Sequence, residues 1–252
     1  MGTLKKNHRI LESALDIMQF IAEKTEDVGF KEICDVFNLP KSTAHNLLHT
    51  MTSMNFLQKK ADSGRYTIGL KCFEVGNAYL ALNPFYTRAK EVVESISLTC
   101  NETIHFAILD GIEVVYLYKF DSMQPLRIFS HIGKRIPAHA TAIGKAILSG
   151  LSNEQLLELY PEKVLPAMTE NTITDRDILF KQLQAIRNEG VAFEREESTP
   201  FIQCFGVPIF SKQKKPIAGI SISLPVMRGL DDKDTFIKLL QEGQRELESI
   251  LL

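Results

Sequence analysis

The sequence predicts an α+β protein in three parts. These are a winged helix-turn-helix over residues 7–69, a linker helix over 70–83, and a larger domain over 84–252 built on an antiparallel sheet. Three observations predict it. Apolar residues recur at helical spacing through residues 8–53, with a tight proline-marked turn between the last two helices. A short hairpin rich in basic residues follows at once. Beyond residue 100, β-branched and aromatic runs separated by turn dipeptides are bracketed by helical segments, the pattern of an antiparallel sheet with helices.

Residues 8–23 place Leu11, Ala14, Leu15, Met18, Ile21 and Ala22 on one expected inward stripe. Asp27-Val28-Gly29 closes a loop, and Phe30–Phe37 reads as a second helix with Phe30, Ile33, Cys34 and Phe37 inward. Pro40 ends it, because the residue before a proline is pushed out of the helical region. A third helix follows over residues 41–56, with Ser42 as its expected N-cap. Ala44, Leu47, Leu48 and Met51 fall on its narrow apolar stripe, and Ser42, His45, Asn46, His49 and Ser53 fall opposite. That polar face holds no acidic residue, whereas a merely solvated face mixes Glu with Lys. Such a face suits a DNA major groove.

Phe56–Lys60 and Arg65–Ile68 read as two strands around an Asp62-Ser63-Gly64 turn. From Val36 to Tyr66 the basic residues are Lys41, Lys59, Lys60 and Arg65 against the single acid Asp62. This local excess of +3 stands out on a chain of 252 residues with net charge −2. Helix residues Ser42, Thr43, His45, Asn46 and His49 are the expected base-edge contacts. Lys41, Lys59, Lys60 and Arg65 are the expected phosphate contacts on a double-stranded operator. Gly69–Leu82 is a further amphipathic pattern stopped at Asn83-Pro84, read either as a linker helix that packs on its copy in a dimer or as ordinary core packing.

In the larger domain, Phe85–Cys100 reads as a helix, Glu102–Leu109 and Ile112–Phe120 as strands around Asp110-Gly111, and Leu126–Ser130 as a third strand. Gly133–Pro137 reads as a loop. Thr141–Leu148, Leu151–Tyr160 and Asp177–Asn188 read as helices; Ser152 with Gln155 forms a capping box and Gly190 ends the last. Strands over 191–195, 203–210 and 217–224 and a helix over 232–250 complete the domain.

The chemistry-bearing motifs are few. Neither a nucleophile elbow, a P-loop nor a dinucleotide fingerprint occurs, so no cofactor and no catalytic residue is expected. Lys145 in Ala-Thr-Ala-Ile-Gly-Lys-Ala looks like half a P-loop, but the first glycine is misplaced. The backbone at Ala142, Ile143 and Gly144 starts a helix and could offer N–H groups to an anion. Ser221 and Ser223 share one face of an apolar strand, which either meets water or lines a polar pocket. The cysteines Cys34, Cys72, Cys100 and Cys204 are scattered without metal-ligand spacing, as reduced thiols of a cytoplasmic protein. Cys204 reads as a buried small hydrophobe or a reactive thiol. No apolar run is long enough to span a membrane, so no membrane partner is expected. Two alternatives stand beside DNA binding: a thiol enzyme using Cys204 with Cys100 as resolving cysteine, and a module whose winged helix binds protein.

Over nearly its full length the chain resembles the IclR family of bacterial transcription regulators. The resemblance is carried by Lys41-Ser42-Thr43, by the Tyr66–Lys71 stretch, by the long Gly133–Ala146 motif and by the Cys204 and Ser221-Ile-Ser223 strands. Within the family, Glu102-Thr103-Ile104-His105, Lys119–Met123 and Leu126-Arg127 look like the subgroup that controls 2-keto-3-deoxygluconate (pectin and uronate) catabolism. The resemblance implies a GAF-like effector domain, a homodimer or tetramer, and a repressor of a carbon-catabolic operon that answers to a small carboxylate or keto-sugar acid. It implies effector contacts at Ala142, Ile143, Glu194, Cys204, Ser221 and Ser223. Glu194 is longer than the expected aspartate and Ile143 bulkier than in some relatives. His45-Asn46 replaces a Tyr-Arg pair, and Asn favours adenine where Arg favours guanine.

Overall fold

A computed structural model describes residues 2–124 and 128–251. The chain forms two compact units, Met1–Asn83 and Pro84–Leu252.

The first unit holds α1 (Gly2–Ala22), α2 (Phe30–Val36), α3 (Lys41–Ser53), an antiparallel hairpin of β1 (Leu57–Lys59) and β2 (Tyr66–Ile68), and α4 (Leu70–Ala81). Its core is Ile17, Ile21, Val28, Ile33, Leu47, Leu48, Met51, Leu57 and Tyr66. The turn between α2 and α3 is short because Asn38 takes a left-handed φ of 47°, which asparagine tolerates. The Leu39 N–H then closes on the Cys34 carbonyl at 3.0 Å. Val28 and Tyr66 exchange two backbone hydrogen bonds of 2.8 Å, which fastens the hairpin to the loop before α2.

In the second unit a six-stranded antiparallel sheet runs, among the described residues, in the order β5 (Arg135–Pro137), β4 (Glu113–Phe120), β3 (Thr103–Asp110), β8 (Pro216–Pro225), β7 (Ile202–Phe210) and β6 (Ala192–Arg195). One face is covered by α5 (Pro84–Cys100) and α9 (Lys233–Ile250), which pack over Phe106, Phe205, Ile220 and Ile222. Gly243 permits this crossing: a Cβ there would lie 2.7 Å from Ile96 Cδ1. The other face carries α6 (Ala142–Ser149), with α8 (Arg176–Glu189) outside it and α7 (Asn153–Leu159) following. Every residue of α6 is buried, so this helix is apolar almost all round apart from Lys145 and Ser149.

Five expectations change. The inward side of α1 is Ile17 and Ile21, whereas Leu11 is 62% and Leu15 53% exposed. Apolar residues wrap so much of this helix that spacing alone does not select the core side. Ser42 is not the N-cap of α3: the helix begins at Lys41 behind Pro40, with no side-chain cap. Of the expected strand 126–130, Leu126 and Arg127 lie outside the described residues, and Ile128–Ser130 are not in a strand. The expected loop 133–137 contains β5, whose Arg135 bonds Glu113 at 2.7 Å across the sheet edge. Finally, α4 buries none of its residues and leaves Leu70, Phe73 and Val75 exposed, so it is not ordinary core packing.

Candidate DNA-binding face and effector site

The apolar stripe of α3 (Ala44, Leu47, Leu48, Met51) is buried in full, which turns Lys41, Ser42, His45, Asn46 and His49 to solvent and leaves Thr43 half-buried. The His45 and His49 rings lie parallel one turn apart, with centroids 6.4 Å from each other. Thr50, Thr52 and Ser53 return their hydroxyls to helix carbonyls at 2.7–2.9 Å, so the distal hydroxyls are spent on the backbone. The outward donors and acceptors therefore concentrate in the first turns of α3.

The hairpin places Lys59 and Lys60 at its exposed tip, with Lys59 Nζ 5.6 Å from the Tyr66 ring centre. Arg65 is placed differently. Its Nε donates to the Asp27 carbonyl at 2.7 Å and its guanidinium faces Glu32 at 3.8 Å. Arg65 thus ties the hairpin to the loop before α2, while the two lysines point outward. The start of α4 is pressed onto the end of α3. Gly69 N–H donates to the Phe56 carbonyl (2.9 Å) and Lys71 N–H to the Asn55 carbonyl (3.0 Å).

In the second unit the Gly133–Ala146 motif is an architectural device. Pro137 precedes a one-turn 3-10 helix, Ala138–Ala140, whose His139 Nε2 lies 2.9 Å from the Pro166 carbonyl. Thr141 caps α6 by accepting the Gly144 N–H at 3.0 Å. Gly144 packs so closely that a Cβ would sit 2.2 Å from the Ala138 carbonyl oxygen. Lys145 is not free for phosphate. It is fully buried with Nζ 2.5 Å from both oxygens of Glu197. Burial lowers its pKa, and the Glu197 carboxylate acts against that shift.

The start of α6 lies on the sheet at Gly206, where a Cβ would meet the Ala142 carbonyl at 2.8 Å and Ile143 N at 2.9 Å. Gly206 pairs with Ser221, Cys204 with Ser223, and Glu194 with Cys204. The six expected effector residues are therefore brought together on one buried face. Cys204 Sγ donates to Ser223 Oγ at 3.2 Å. Burial, reinforced by Glu194, pushes the Cys204 thiol well above its ordinary range, so it stays protonated and is a poor nucleophile. Glu194 is 1% exposed; its Oε2 accepts the Glu197 N–H at 2.9 Å and its Oε1 has no hydrogen-bond partner. Burial pushes its pKa up to about 7.

Residues that motif reading missed complete this face. His105 of β3 pairs with Ser221, is 1% exposed and stacks on Tyr116 with ring centres 4.4 Å apart. Its Nε2 lies 2.8 Å from Ser130 Oγ and its Nδ1 3.4 Å from Ser223 Oγ. Lys119 Nζ donates to the carbonyls of Ile128 and Ser130, both at 2.9 Å, and so holds the Ser130 segment over the sheet. The available signal was parity: His105 is the titratable residue on the side of β3 that also carries Thr103, Ala107 and Leu109.

A winged helix with an acid-free outward face, carried on a chain with a second α/β unit, defines a DNA-binding regulator. The IclR helix-turn-helix domain matches residues 11–61, and the bacterial transcriptional regulator IclR C-terminal domain matches residues 77–248. The chain belongs to the IclR family of bacterial transcriptional regulators. It is 33% identical over 232 residues to the HTH-type transcriptional regulator KdgR of Dickeya chrysanthemi, covering 92% of this chain and 76% of that protein. It is 31% identical over 227 residues to the transcriptional repressor IclR of Escherichia coli K12, covering 89% and 83%. The fold matches an IclR homologue from Microbacterium hydrocarbonoxydans complexed with 4-hydroxybenzoate, with a TM-score of 0.83 and 21% identity over 96% and 98% of the two chains. Among the described residues no helix is long and apolar enough to cross a membrane.

Proposed function

We propose that this DNA-binding transcriptional regulator represses a carbon-catabolic operon and releases its operator when a small carboxylate, of the keto-sugar acid class, binds the second unit. The observation that carries the effector half is the buried start of α6 above Ser221, Ser223, Cys204 and Glu194, with one Glu194 oxygen unpartnered. The Ala142 and Ile143 N–H groups have no acceptor within the helix and are sealed from water, so a ligand carboxylate is their natural partner. The serine hydroxyls seat the same anion. Similarity to KdgR supports 2-keto-3-deoxygluconate or a related acid as the effector.

On DNA, Asn46 reads a base edge with Ser42, Thr43, His45 and His49 beside it, and Lys41, Lys59 and Lys60 meet phosphates. The exposed apolar side of α4 (Leu70, Phe73) is the surface on which two copies pair, presenting two winged helices to half-sites about one helical turn apart or a multiple of it. The effector acts only if it binds one arrangement of the dimer better than the other. The protonated, buried Cys204 favours no thiol chemistry.

A gel shift with DNA from upstream of the protein's own operon, repeated with 2-keto-3-deoxygluconate, D-galacturonate and pyruvate, tests the reading. Specific retention abolished by one of these acids is the expected result. Specific retention that none of them alters sinks the effector half, and no specific retention sinks the whole.

A further inference from the structure

The charges on the face beneath α6 can be counted. Among the described residues Lys145 is the only buried lysine or arginine, and its Nζ lies 2.5 Å from both oxygens of Glu197. That pair is neutral as a unit. Lys119, beside His105, is spent on Asp121 at 2.7 Å and on the Ile128 and Ser130 carbonyls. Burial, helped by Lys119, holds the His105 imidazole neutral with its pKa lowered to about 3. Burial also keeps the Cys204 thiol and the Tyr116 phenol protonated. No cation is left over on this face to neutralise an incoming anion.

Glu194 is the remaining ionisable group, and it is 1% exposed. Four titratable groups face it: Cys204 on β7, Tyr116 on β4, Lys145 on α6 and Glu197 in the turn after β6. The Glu197 N–H donates to its Oε2 at 2.9 Å. The groove along the outer edge of β6 adds Arg195 and Glu196, which face each other at 3.9 Å, and the uncharged Asn171 and Gln182. Lys145 spends its Nζ on Glu197 rather than on Glu194. Strand register brings Glu194 close to the start of α6. Gly206 lies under the Ala142–Ile143 peptide, Cys204 is two residues (about 7 Å) along β7 on the same face, and Glu194 is the cross-strand partner of Cys204.

A ligand carboxylate at the α6 amides therefore meets a second carboxylate out of water. Two such groups sharing a buried site do not both stay ionised, and one takes a proton. The more basic of the two is Glu194, which burial has pushed up to about 7, whereas an ordinary carboxyl titrates near about 4. We propose that effector binding is coupled to the uptake of one proton, which Glu194 holds while the ligand is bound. The proton sits on Oε1 and points at the ligand carboxylate, and Oε2 keeps the Glu197 N–H. The charge balances: the ligand brings one negative charge, solvent supplies the proton, and the face keeps the net charge it had with Glu194 ionised. The proposal rests on the effector reading above and makes the proton a second ligand of the same site. Operator release at a given effector concentration is thereby easier in acid than in alkali.

The test is calorimetric titration of the full-length protein with 2-keto-3-deoxygluconate, D-galacturonate and pyruvate between about pH 6.5 and about pH 8.5, in buffers of different ionisation enthalpy. The acid that binds should do so about twentyfold more weakly at the alkaline end, with close to one proton taken up per ligand there and much less at the acid end. Glu194→Gln cannot ionise; its affinity should change by less than about threefold over the same range, with no proton taken up. A difference infrared spectrum of wild type at the alkaline end should gain a protonated-carboxyl band on binding, which neither a thiol nor an imidazole gives. That band decides the matter if Glu194→Gln does not fold or does not bind. A Glu194 that merely packs would leave the pH profile and the spectrum unmoved. The proposal is overturned if wild-type affinity is independent of pH, if no carboxyl band appears, or if folded Glu194→Gln still takes up the proton. If none of the three acids binds at any pH, the effector reading itself fails and the proposal with it.

Discussion

Gly69→Ala isolates the junction between the recognition helix and the linker helix. The glycine has an extended backbone (φ −88°, ψ 163°), so alanine is conformationally allowed there. Reduced chain entropy in the unfolded state would by itself stabilise the variant by about 0.4–1 kcal/mol. Sterics oppose this. The new Cβ would lie 2.2 Å from the Asn55 carbonyl oxygen and 2.9 Å from the Phe56 carbonyl carbon, both backbone atoms with no rotamer to turn. Relieving the overlap takes a shift of about 1 Å or more. That shift stretches the Gly69 N–H bond to Phe56 (2.9 Å) and the Lys71 N–H bond to Asn55 (3.0 Å) beyond useful length. Two such bonds are worth about 1 kcal/mol each. Overpacking adds about 1–3 kcal/mol. The net expectation is a loss of about 2–5 kcal/mol, since these terms outweigh the entropic gain. Urea denaturation of the full-length protein, followed by a probe in the first unit, measures it, and a gel shift reports operator affinity alongside. A variant as stable as wild type, or more so, would refute the claim that α4 is seated on the end of α3.

Further predictions follow from the same geometry. Asn46→Ala should cost about 1–3 kcal/mol of operator binding and relax the preference at one base position, checked by binding to an operator library. Lys60→Ala should weaken binding to all sequences and lower the salt slope by about one. Arg65→Ala, because its guanidinium is held by Asp27 and Glu32, should leave that slope nearly unchanged. Lys145→Met strands the Glu197 carboxylate in the interior and should destabilise by about 3–5 kcal/mol in a denaturant titration, with the double variant Lys145→Met, Glu197→Leu recovering much of it. Stability against pH should carry two opposed slopes. Glu194, raised from 4.5 to about 7, favours the folded state below pH 4.5, and that contribution is lost as pH rises toward 7. His105, lowered from 6.5 to about 3, favours the folded state above pH 6.5, and that contribution is lost as pH falls toward 3. Thermal melts should show Glu194→Gln removing the first slope and His105→Phe the second; variants that melt with the wild-type pH profile contradict the assignment.

The sequence made the outward face of α3 legible because its apolar residues form a single narrow stripe, so 3.6-residue spacing has one solution. It failed on α1 for the converse reason: Ile10, Leu11, Ala14, Leu15, Ile17, Met18 and Ile21 offer more than one apolar side, and the tertiary partners Val28 and Leu48 select Ile17. β5 was hidden because it is three residues long, follows a glycine and ends in proline, so it reads as a loop. In the candidate site, the residues that came from the family motif were visible, but His105 was not given a role. Its significance depends on pairing with Ser221, which lies far along the chain on β8, and no local pattern states that register. Ser130 was harder still, since it is held there by long-range contacts, His105 on its hydroxyl and Lys119 on two carbonyls of its segment.

Why the effector should sit at α6 rather than at another helix start follows from how each start is satisfied. At α7, Ser152 and Gln155 cap each other reciprocally at a site open to water. At α8, the Asp175 carboxylate accepts from both Asp177 and Ile178 N–H groups. At α6, Thr141 serves only the Gly144 N–H, while Ala142 and Ile143 are buried against the sheet. That burial exists because Gly206 lacks a side chain, and a Cβ there would occupy the space into which the peptide settles. Buried helix-start amides are paired with something in stable proteins. The polar side chains on this face include Ser221, Ser223, whose hydroxyl accepts from the Cys204 thiol, and Glu194, whose oxygens can only accept once ionised. The unpaired N–H groups at the start of α6 are therefore the feature of this face that a ligand carboxylate would meet.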